Sequence, residues 1–257
     1  TMNIVLEFKK IKRTGILPGC FAGGILAAFI PILELMVRSE QYTGLMQSPL
    51  RTIFQADWQM MSMLNMLAVV AVTCMMYHTE YADRAILRIT TLPVREEEIF
   101  CGKVLLTAGM CFVILVIEML AVIFCTLYWF GGENGAYSAF YGDAAAGAYL
   151  EFVKDLFKSF GYCFCMLLPT AVSALLIASV CKNMWISLGI DVVCVFVATM
   201  IPTRYFALSL FPFALSFQIL EGAPGGEAIG YLIAAIIEAV LIGAAEMIIL
   251  RVRRSLS

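Results

Sequence analysis

The chain has 257 residues, of which 62% are hydrophobic and only 14% are charged, and its formal net charge is −2. Soluble globular domains average about 45–50% apolar and about 25% charged residues, so this composition excludes an ordinary soluble domain. The sequence predicts a membrane protein, and we expect it to bind lipid but no nucleic acid.

Six stretches are long and apolar enough to cross a bilayer. About 20 helical residues span the hydrocarbon core of a bilayer. Lipid offers the backbone no hydrogen-bond partner, so a span must satisfy its own backbone hydrogen bonds, as a helix does. The stretches are Ile16 to Val37, Met60 to Met76, Val104 to Tyr128, Gly161 to Val180, Met184 to Pro202 and Ile229 to Leu250. We therefore predict an all-α integral membrane protein in which residues 1–257 form one transmembrane domain.

The distribution of Lys and Arg predicts the orientation, since cytoplasmic loops retain basic residues. With the N-terminus inside, twelve basic residues fall on the cytoplasmic side and five on the outer side. Six acids lie inside and eight outside, so the inner face carries about +6 and the outer face about −3. We expect a multi-pass protein of the cell membrane with both termini in the cytosol.

The N-terminal stretch before the first span carries an apolar stripe at helical spacing. The stripe consists of Ile4, Val5, Phe8 and Ile11. This pattern predicts a helix that lies flat in the inner interface with its basic side towards the headgroups, although the same residues could extend the first span. Within that span, Gly19 and Gly23 form a GxxxG pattern that favours close helix packing, and Pro31 is expected to kink the helix.

Three connections are predicted to lie on the outer side. Residues 38–59 form a short loop, and the connection of residues 130–160 is expected to end in a surface helix over residues 149–160. The apolar segment Tyr205 to Leu220 contains Pro212 and is too short to span. It therefore predicts a re-entrant or interfacial hairpin between the fifth and sixth spans.

The stretch Tyr77 to Lys103 is a charged, proline-centred island between two apolar segments. A short helix can run on from Glu80 until Pro93 interrupts it, because proline removes a backbone donor and disfavours helical geometry at the preceding residue. Acids at residues 96–98 suit the first turn of a new helix. A merely solvated connector would not need apolar Ile86 and Ile89, so we interpret the island as a docking elbow for a cytosolic partner.

The island resembles the corresponding loop of the permease subunits of ABC type-2 transporters. The matching order is Glu80, then Leu92-Pro93-Val94-Arg95, then Gly102-Lys103. In that family this loop carries a coupling helix that sits in a groove of an ATPase, and two permeases, identical or homologous, work with two ATPases. Many members have a Gly-Thr pair after the acid, whereas this chain has Arg84-Ala85-Ile86. The resemblance implies that the ATPase-coupling residues are Glu80, Arg84, Ile86, Ile89, Pro93, Arg95 and Lys103.

The resemblance also bears on cargo and on the energy source. The short chain and the LPVR…GK pattern are most similar to bacterial lantibiotic immunity permeases, which expel antimicrobial peptides, and this implies a cationic, amphipathic peptide as the substrate. The sequence contains no GxxxxGK[ST] phosphate loop, so we expect this chain to bind no cofactor itself. ATP and Mg would be used by the partner ATPase.

Five carboxylates fall inside the predicted spans: Glu34, Glu118, Asp191, Glu238 and Glu246. A charge at bilayer depth costs at least ~2.5 kcal/mol, so each acid is expected to be protonated, hydrogen-bonded to a neighbouring helix or facing a wet cavity. Glu118, Asp191 and Glu238 are candidates for lining a translocation pathway, or alternatively for holding helices together. Glu34 and Glu246 lie near enough to a membrane edge to reach water.

Two other classes of function remain open from the sequence. The buried acids would also suit a proton- or ion-coupled carrier. An intramembrane enzyme is less favoured, because the only histidine is His78 and the chain has no HExxH motif. We expect no catalytic residue and no metal site, and we interpret the nine cysteines as small apolar packing residues.

Overall fold

Seven α-helices and one 3-10 turn form the part of the protein that the computed structural model describes, which is residues 15–43, 47–82, 96–131, 145–181, 183–201, 205–220 and 227–255. The helices are α1 (Ile16–Thr43), α2 (Pro49–Ala82), α3 (Glu96–Trp129), α4 (Ala145–Val180), α5 (Met184–Met200), α6 (Phe206–Ser209) and α7 (Glu227–Ser255), and the 3-10 turn is Leu215–Phe217. These described residues contain no strand.

Five of the helices, α1, α2, α3, α4 and α7, are long and apolar enough to cross a membrane. The prediction of an all-α, multi-pass membrane protein is confirmed. The predicted span Met184 to Pro202 coincides with α5, which is apolar but has only 17 residues, so a total of six spans stays a prediction. The predicted N-terminal interfacial helix and the coupling helix between the second and third spans lie outside the described residues.

Helix α2 is much longer than the predicted span Met60 to Met76. It begins at Pro49, where the Ser48 hydroxyl accepts a hydrogen bond of 3.2 Å from the backbone N–H of Arg51. A serine cap followed by proline at the first helical position is a favourable helix start. The prediction of a loop over residues 38–59 is therefore wrong for residues 38–43, which belong to α1, and for residues 49–59, which belong to α2. Exposed Arg51 and Gln55 lower the hydropathy of the second segment, although it is helical.

Helix α4 also extends beyond its predicted beginning. It runs without interruption from Ala145 to Val180, so the separate surface helix predicted over residues 149–160 is wrong. The apolar residues Phe152, Leu156 and Phe160 share one helical face and are buried, and the Phe160 ring packs edge-on against Phe54 of α2 with the centroids 5.4 Å apart. Burial of this face in the bundle replaces the expected burial in a membrane surface.

The beginning of α3 and the backbone of α1 bear on two further predictions from the sequence. Helix α3 begins at Glu96, where the sequence predicted a new helix after Pro93. The backbone of α1 leaves helical geometry at Arg38 (φ −126°, ψ 26°), whereas Pro31 lies inside the helix. The kink predicted at Pro31 stays a prediction, and an interruption of helical geometry that was not predicted lies at Arg38, directly after the predicted span.

The segment between α5 and α7 is folded into the bundle through Ser216. The Ser216 carbonyl accepts hydrogen bonds from Trp58 Nε1 at 3.1 Å and from Ser62 Oγ at 2.6 Å, both on α2. Its hydroxyl bonds with Thr170 Oγ1 of α4 at 2.8 Å, and Thr170 also donates to the Pro212 carbonyl at 2.9 Å. The hairpin predicted over residues 205–220 thus contains two short helical pieces pinned to α2 and α4.

The helices are unequally buried. Helix α2 contacts α1, α3, α4 and α5, whereas α7 packs mainly along α4 and touches α3 weakly. Among the five long helices, α4 and α2 are the most buried and α7 the least. The structure therefore places α2 at the centre of the polar contacts described below.

Close packing of α1 depends on Gly23, which the sequence predicted, and on Gly24. The other predicted glycine, Gly19, does not take part within this chain. A Cβ at Gly24 would lie 3.3 Å from the Ile114 Cα of α3, and one at Gly23 would lie 3.1 Å from the Ala68 Cβ of α2. A Cβ at Gly19 would meet nothing within 4 Å in this chain.

Gly24→Leu is expected to destabilise the protein by about 1–3 kcal/mol, because the added side chain must push α1 away from α3. Thermal unfolding of the purified protein in detergent measures this effect. Gly19→Leu is the matched control and should leave the melting temperature unchanged. An equal loss of stability in both variants would contradict this account of α1 packing.

Candidate functional site

Helix α2 donates a hydrogen bond to a buried carboxylate on each of three other helices. The pairs are Asn65 Nδ2 to Glu118 Oε2 of α3 at 3.1 Å, Cys74 Sγ to Asp191 Oδ2 of α5 at 3.6 Å, and Tyr77 Oη to Glu246 Oε1 of α7 at 2.7 Å. Two of these donors are neutral oxygen or nitrogen groups and the third is a weakly donating thiol. We refer to these three pairs as the α2 acid contacts.

All three acids of the α2 acid contacts are fully buried, with 0% of their surface exposed. In each, the second carboxyl oxygen has no hydrogen-bond partner among the described residues: Glu118 Oε1, Asp191 Oδ1 and Glu246 Oε2. The expectation that Glu246 reaches water is therefore wrong within this chain. Of the environments predicted for these acids, hydrogen bonding to a neighbouring helix is the one observed.

The α2 acid contacts surround α2 and do not line one path. Asn65 and Cys74 are nine residues apart, which at about 100° per residue places them on opposite sides of the helix. Glu118 and Asp191 consequently approach α2 from opposite directions. Within the chain the structure does not bring these two translocation candidates to a common face, and this geometry favours their role as anchors between helices.

Glu238 is in a different situation from Glu118 and Asp191. It lies near the middle of α7 and is half-buried, and its Oε2 atom is buried without a hydrogen-bond partner among the residues described. Part of its surface is accessible from outside the bundle. Glu34 on α1 is different again, since it accepts hydrogen bonds from Arg38 at 2.9 Å and from Tyr42 at 3.0 Å, as expected for an acid near a membrane edge.

Most of the predicted coupling residues fall outside the described part of the chain, namely Arg84, Ile86, Ile89, Pro93 and Arg95. For Glu80 only the helical backbone is described. Lys103 is described and is 3% exposed, with its Nζ 4.3 Å from the centroid of the Tyr77 ring. The proposed contact between these residues and an ATPase stays a prediction.

The arrangement of Cys and His residues gives no sign of a catalytic or metal centre in the described ranges. No group of three His, Cys, Asp or Glu side chains there has a geometry that could hold a metal ion. All nine cysteines have free thiols, and five of them are buried in the bundle. His78 is exposed near the end of α2.

Sequence reasoning missed several polar residues of the site. Asp57 falls in the segment predicted as an outer loop, yet it lies on α2 and is only 4% exposed. Asn65 and Tyr77 were not singled out, although they donate to Glu118 and Glu246. The continuous helical spacing of Leu50, Phe54 and Asp57 with the span that follows could have revealed the longer helix and its buried face.

Asn65→Leu is expected to destabilise the protein by about 1–3 kcal/mol, because the Glu118 carboxyl group is then buried without a donor. The double variant Asn65→Leu/Glu118→Leu should recover most of this loss, since neither partner remains polar. Thermal unfolding in detergent compares the two variants. A double variant that is as unstable as Asn65→Leu alone would contradict the assignment of this pair as an anchor.

The sequence matches a model of a known protein family. A model described as ABC-2 family transporter protein matches residues 3–198, which is more than half of the chain and extends from before α1 almost to the end of α5. Neither the curated proteins nor the solved structures yielded a significant match.

Proposed function

This chain belongs to the ABC-2 family of transporters, and from that premise we propose that it is the non-catalytic transmembrane permease subunit of an ATP-driven exporter. Membership of this family implies partnership with ABC ATPase subunits. The sequence has no phosphate loop of its own, so ATP and Mg would be used on the partner chains. We propose a working unit of two ATPases and two permeases, the second permease being identical or homologous.

The observation that carries this proposal is the position of the elbow between α2 and α3. The island Tyr77 to Lys103, which resembles the family's coupling loop, includes the last residues of α2, which ends at Ala82, and the first residues of α3, which begins at Glu96. Helix α2 in turn holds α3, α5 and α7 through buried polar contacts. A push on the elbow would therefore act on α2, and the buried contacts of α2 would carry the other helices with it in a rigid-body movement.

We propose a topology of six spans, with α5 as the fifth and both termini in the cytosol. Twelve basic residues on the inner side against five outside support this orientation. In this arrangement the hairpin pinned through Ser216 would enter the bundle from the outer side. A cysteine added after residue 255 and labelled with a membrane-impermeant reagent should react only after the membrane is opened.

We propose a cationic, amphipathic antimicrobial peptide as the cargo, expelled from the membrane of a bacterial cell. The resemblance to lantibiotic immunity permeases supports this proposal, together with an outer face that carries about −3 against about +6 inside. Among the three translocation candidates, we assign the contact with cargo to Glu238, because its side chain is partly accessible whereas Glu118 and Asp191 are fully buried.

A proton- or ion-coupled carrier is the alternative. It is favoured by four acids that each have one buried oxygen without a hydrogen-bond partner among the described residues, namely Glu118, Asp191, Glu238 and Glu246. Reconstitution of the chain in vesicles, with and without the ATPase that co-purifies with it, separates the two functions. An exporter requires the ATPase and ATP for peptide movement. Transport by the chain alone, driven by a proton gradient, would instead establish the carrier.

The double variant Ile86→Asp/Ile89→Asp is expected to abolish ATP-dependent peptide transport, because charges on the apolar side of the elbow would weaken its seat on the ATPase. Transport into vesicles and ATP hydrolysis are measured together. Tyr149→Asp/Leu150→Asp is the matched control, since both residues are exposed apolar residues near the beginning of α4. Unchanged transport in the elbow variant would contradict the coupling role.

Glu238→Gln is expected to lower transport of a cationic peptide by up to about fivefold relative to a neutral analogue, the factor for an exposed ion pair worth ~1 kcal/mol. Glu118→Gln serves as the comparison and should affect both peptides equally, since its carboxyl group faces Asn65. Equal losses for both peptides in Glu238→Gln would assign this residue to helix packing.

A further inference from the structure

Three side chains meet at the end of the bundle that adjoins the elbow, and we call them the elbow clamp: Tyr77 of α2, Lys103 of α3 and Glu246 of α7. The Tyr77 hydroxyl donates to Glu246 Oε1 at 2.7 Å, and the Lys103 Nζ atom stands 4.3 Å from the centroid of the same tyrosine ring. The two opposite charges are also close enough to interact with each other. One aromatic side chain thus contacts a cation through its face and an acid through its hydroxyl.

The elbow clamp is buried. Tyr77 is 5% exposed, Lys103 is 3% exposed and Glu246 is not exposed at all. A charge in such a place is costly unless an opposite charge and hydrogen bonds compensate for it, and removal of one partner leaves the other uncompensated. The cation–π contact, which is stronger away from water, adds to the attraction. Each charged member of the clamp therefore depends on the others for its position.

The clamp brackets the elbow on both sides. Tyr77 lies five residues before the end of α2 at Ala82, and Lys103 lies seven residues after the beginning of α3 at Glu96. Glu246 lies on the last helix, far along the chain from both. Ser179 of α4 is also within hydrogen-bonding reach of Glu246. Both ends of the elbow are consequently tied to α7, and α4 joins them at the same point.

The burial of Lys103 separates two possible roles for this residue. A residue that docks directly on another protein must present its charged group at the surface. The Lys103 side chain instead lies between α2 and α3 with its ammonium group over Tyr77. This geometry is what a positioning residue requires, because it holds the first turns of α3 against α2.

We propose that Lys103, Tyr77 and Glu246 transmit movement of the elbow to α7, and that Lys103 acts as a positioning residue and not as a contact for the ATPase. The inference rests on the proposed function, since it needs an ATPase that moves the elbow. Lys103 makes α3 move together with α2. The hydrogen bond from the Tyr77 hydroxyl to Glu246 transmits the displacement to α7. Helix α7 then moves with the elbow although it lies at the periphery of the bundle.

The test uses the full chain co-purified with its ATPase and reconstituted in vesicles with a fluorescent cationic amphipathic peptide. The variants are Tyr77→Phe, which keeps the ring but removes the donor, Glu246→Gln, Lys103→Met and the double variant Lys103→Met/Glu246→Gln. Controls are Tyr128→Phe and Lys158→Met, which change exposed residues of the same types. The amount of ATPase retained, the rate of ATP hydrolysis and the peptide transported per ATP are measured for each variant.

We expect each single variant to retain the ATPase and to lose about tenfold in peptide transported per ATP, which corresponds to a coupling free energy of ~1.4 kcal/mol. The double variant should be no worse than either single variant, because the members act as one unit. The controls should match the unmodified complex. Tyr77→Phe is the mildest change, because it removes only the hydroxyl group. If the complex of this variant is stably folded and still loses coupling, the loss results from impaired transmission of movement and not from unfolding.

Other results would overturn the proposal in distinguishable ways. If Lys103→Met releases the ATPase while Tyr77→Phe and Glu246→Gln do not, Lys103 is a docking contact and the clamp is refuted. Additive losses in the double variant would refute a shared network. If no ATPase co-purifies with the unmodified chain, the proposed function itself fails, whatever the clamp variants do.

Discussion

A carboxyl group that is buried in a membrane bundle must find a hydrogen-bond donor within the protein, because lipid supplies none. In this chain one helix supplies a donor to each of three fully buried acids. Helix α2 offers an amide, a thiol and a phenol to acids on α3, α5 and α7. Those acids arrive from different sides, so the requirement to satisfy them fixes the positions of three helices relative to α2. The rest of the bundle is arranged around this constraint, with apolar packing filling the spaces between the polar contacts.

The sequence was sufficient for the class of fold and for most helix centres, because apolar runs of about 20 residues have few alternatives in a membrane. It was less reliable at helix ends. Arg51 and Gln55 concealed the beginning of α2, since hydropathy averages over all sides of a helix whereas burial concerns one side. The first part of α4 was predicted as a helix over residues 149–160 but placed on the membrane surface, because an amphipathic pattern does not show whether Phe152 and Leu156 face lipid or the core of the bundle. Helix spacing would also have identified the beginning of α2.

The candidate site could be predicted only in part. The acids were evident, because a carboxylate within an apolar run is unusual, but their partners were not. Tyr77 and Glu246 are separated by 169 positions in the chain, and no local pattern links such distant residues. Lys103 is a further example. Its place beside Gly102 in a family-like motif indicated coupling, whereas its contact with the Tyr77 ring depends on how α2 and α3 pack. Residue types could be read from the sequence, and pairings required the three-dimensional arrangement.

Ser216 joins the segment between α5 and α7 to the beginning of α2, and this has a geometric consequence. Trp58 holds that segment near one end of α2 and Tyr77 holds Glu246 near the other, and at about 1.5 Å per residue these anchors stand about 28 Å apart along one unbroken helix. A helix of this kind behaves as a stiff rod. Any tilt imposed at its elbow end must swing the opposite end by a comparable amount, so the two faces of the bundle cannot open or close independently.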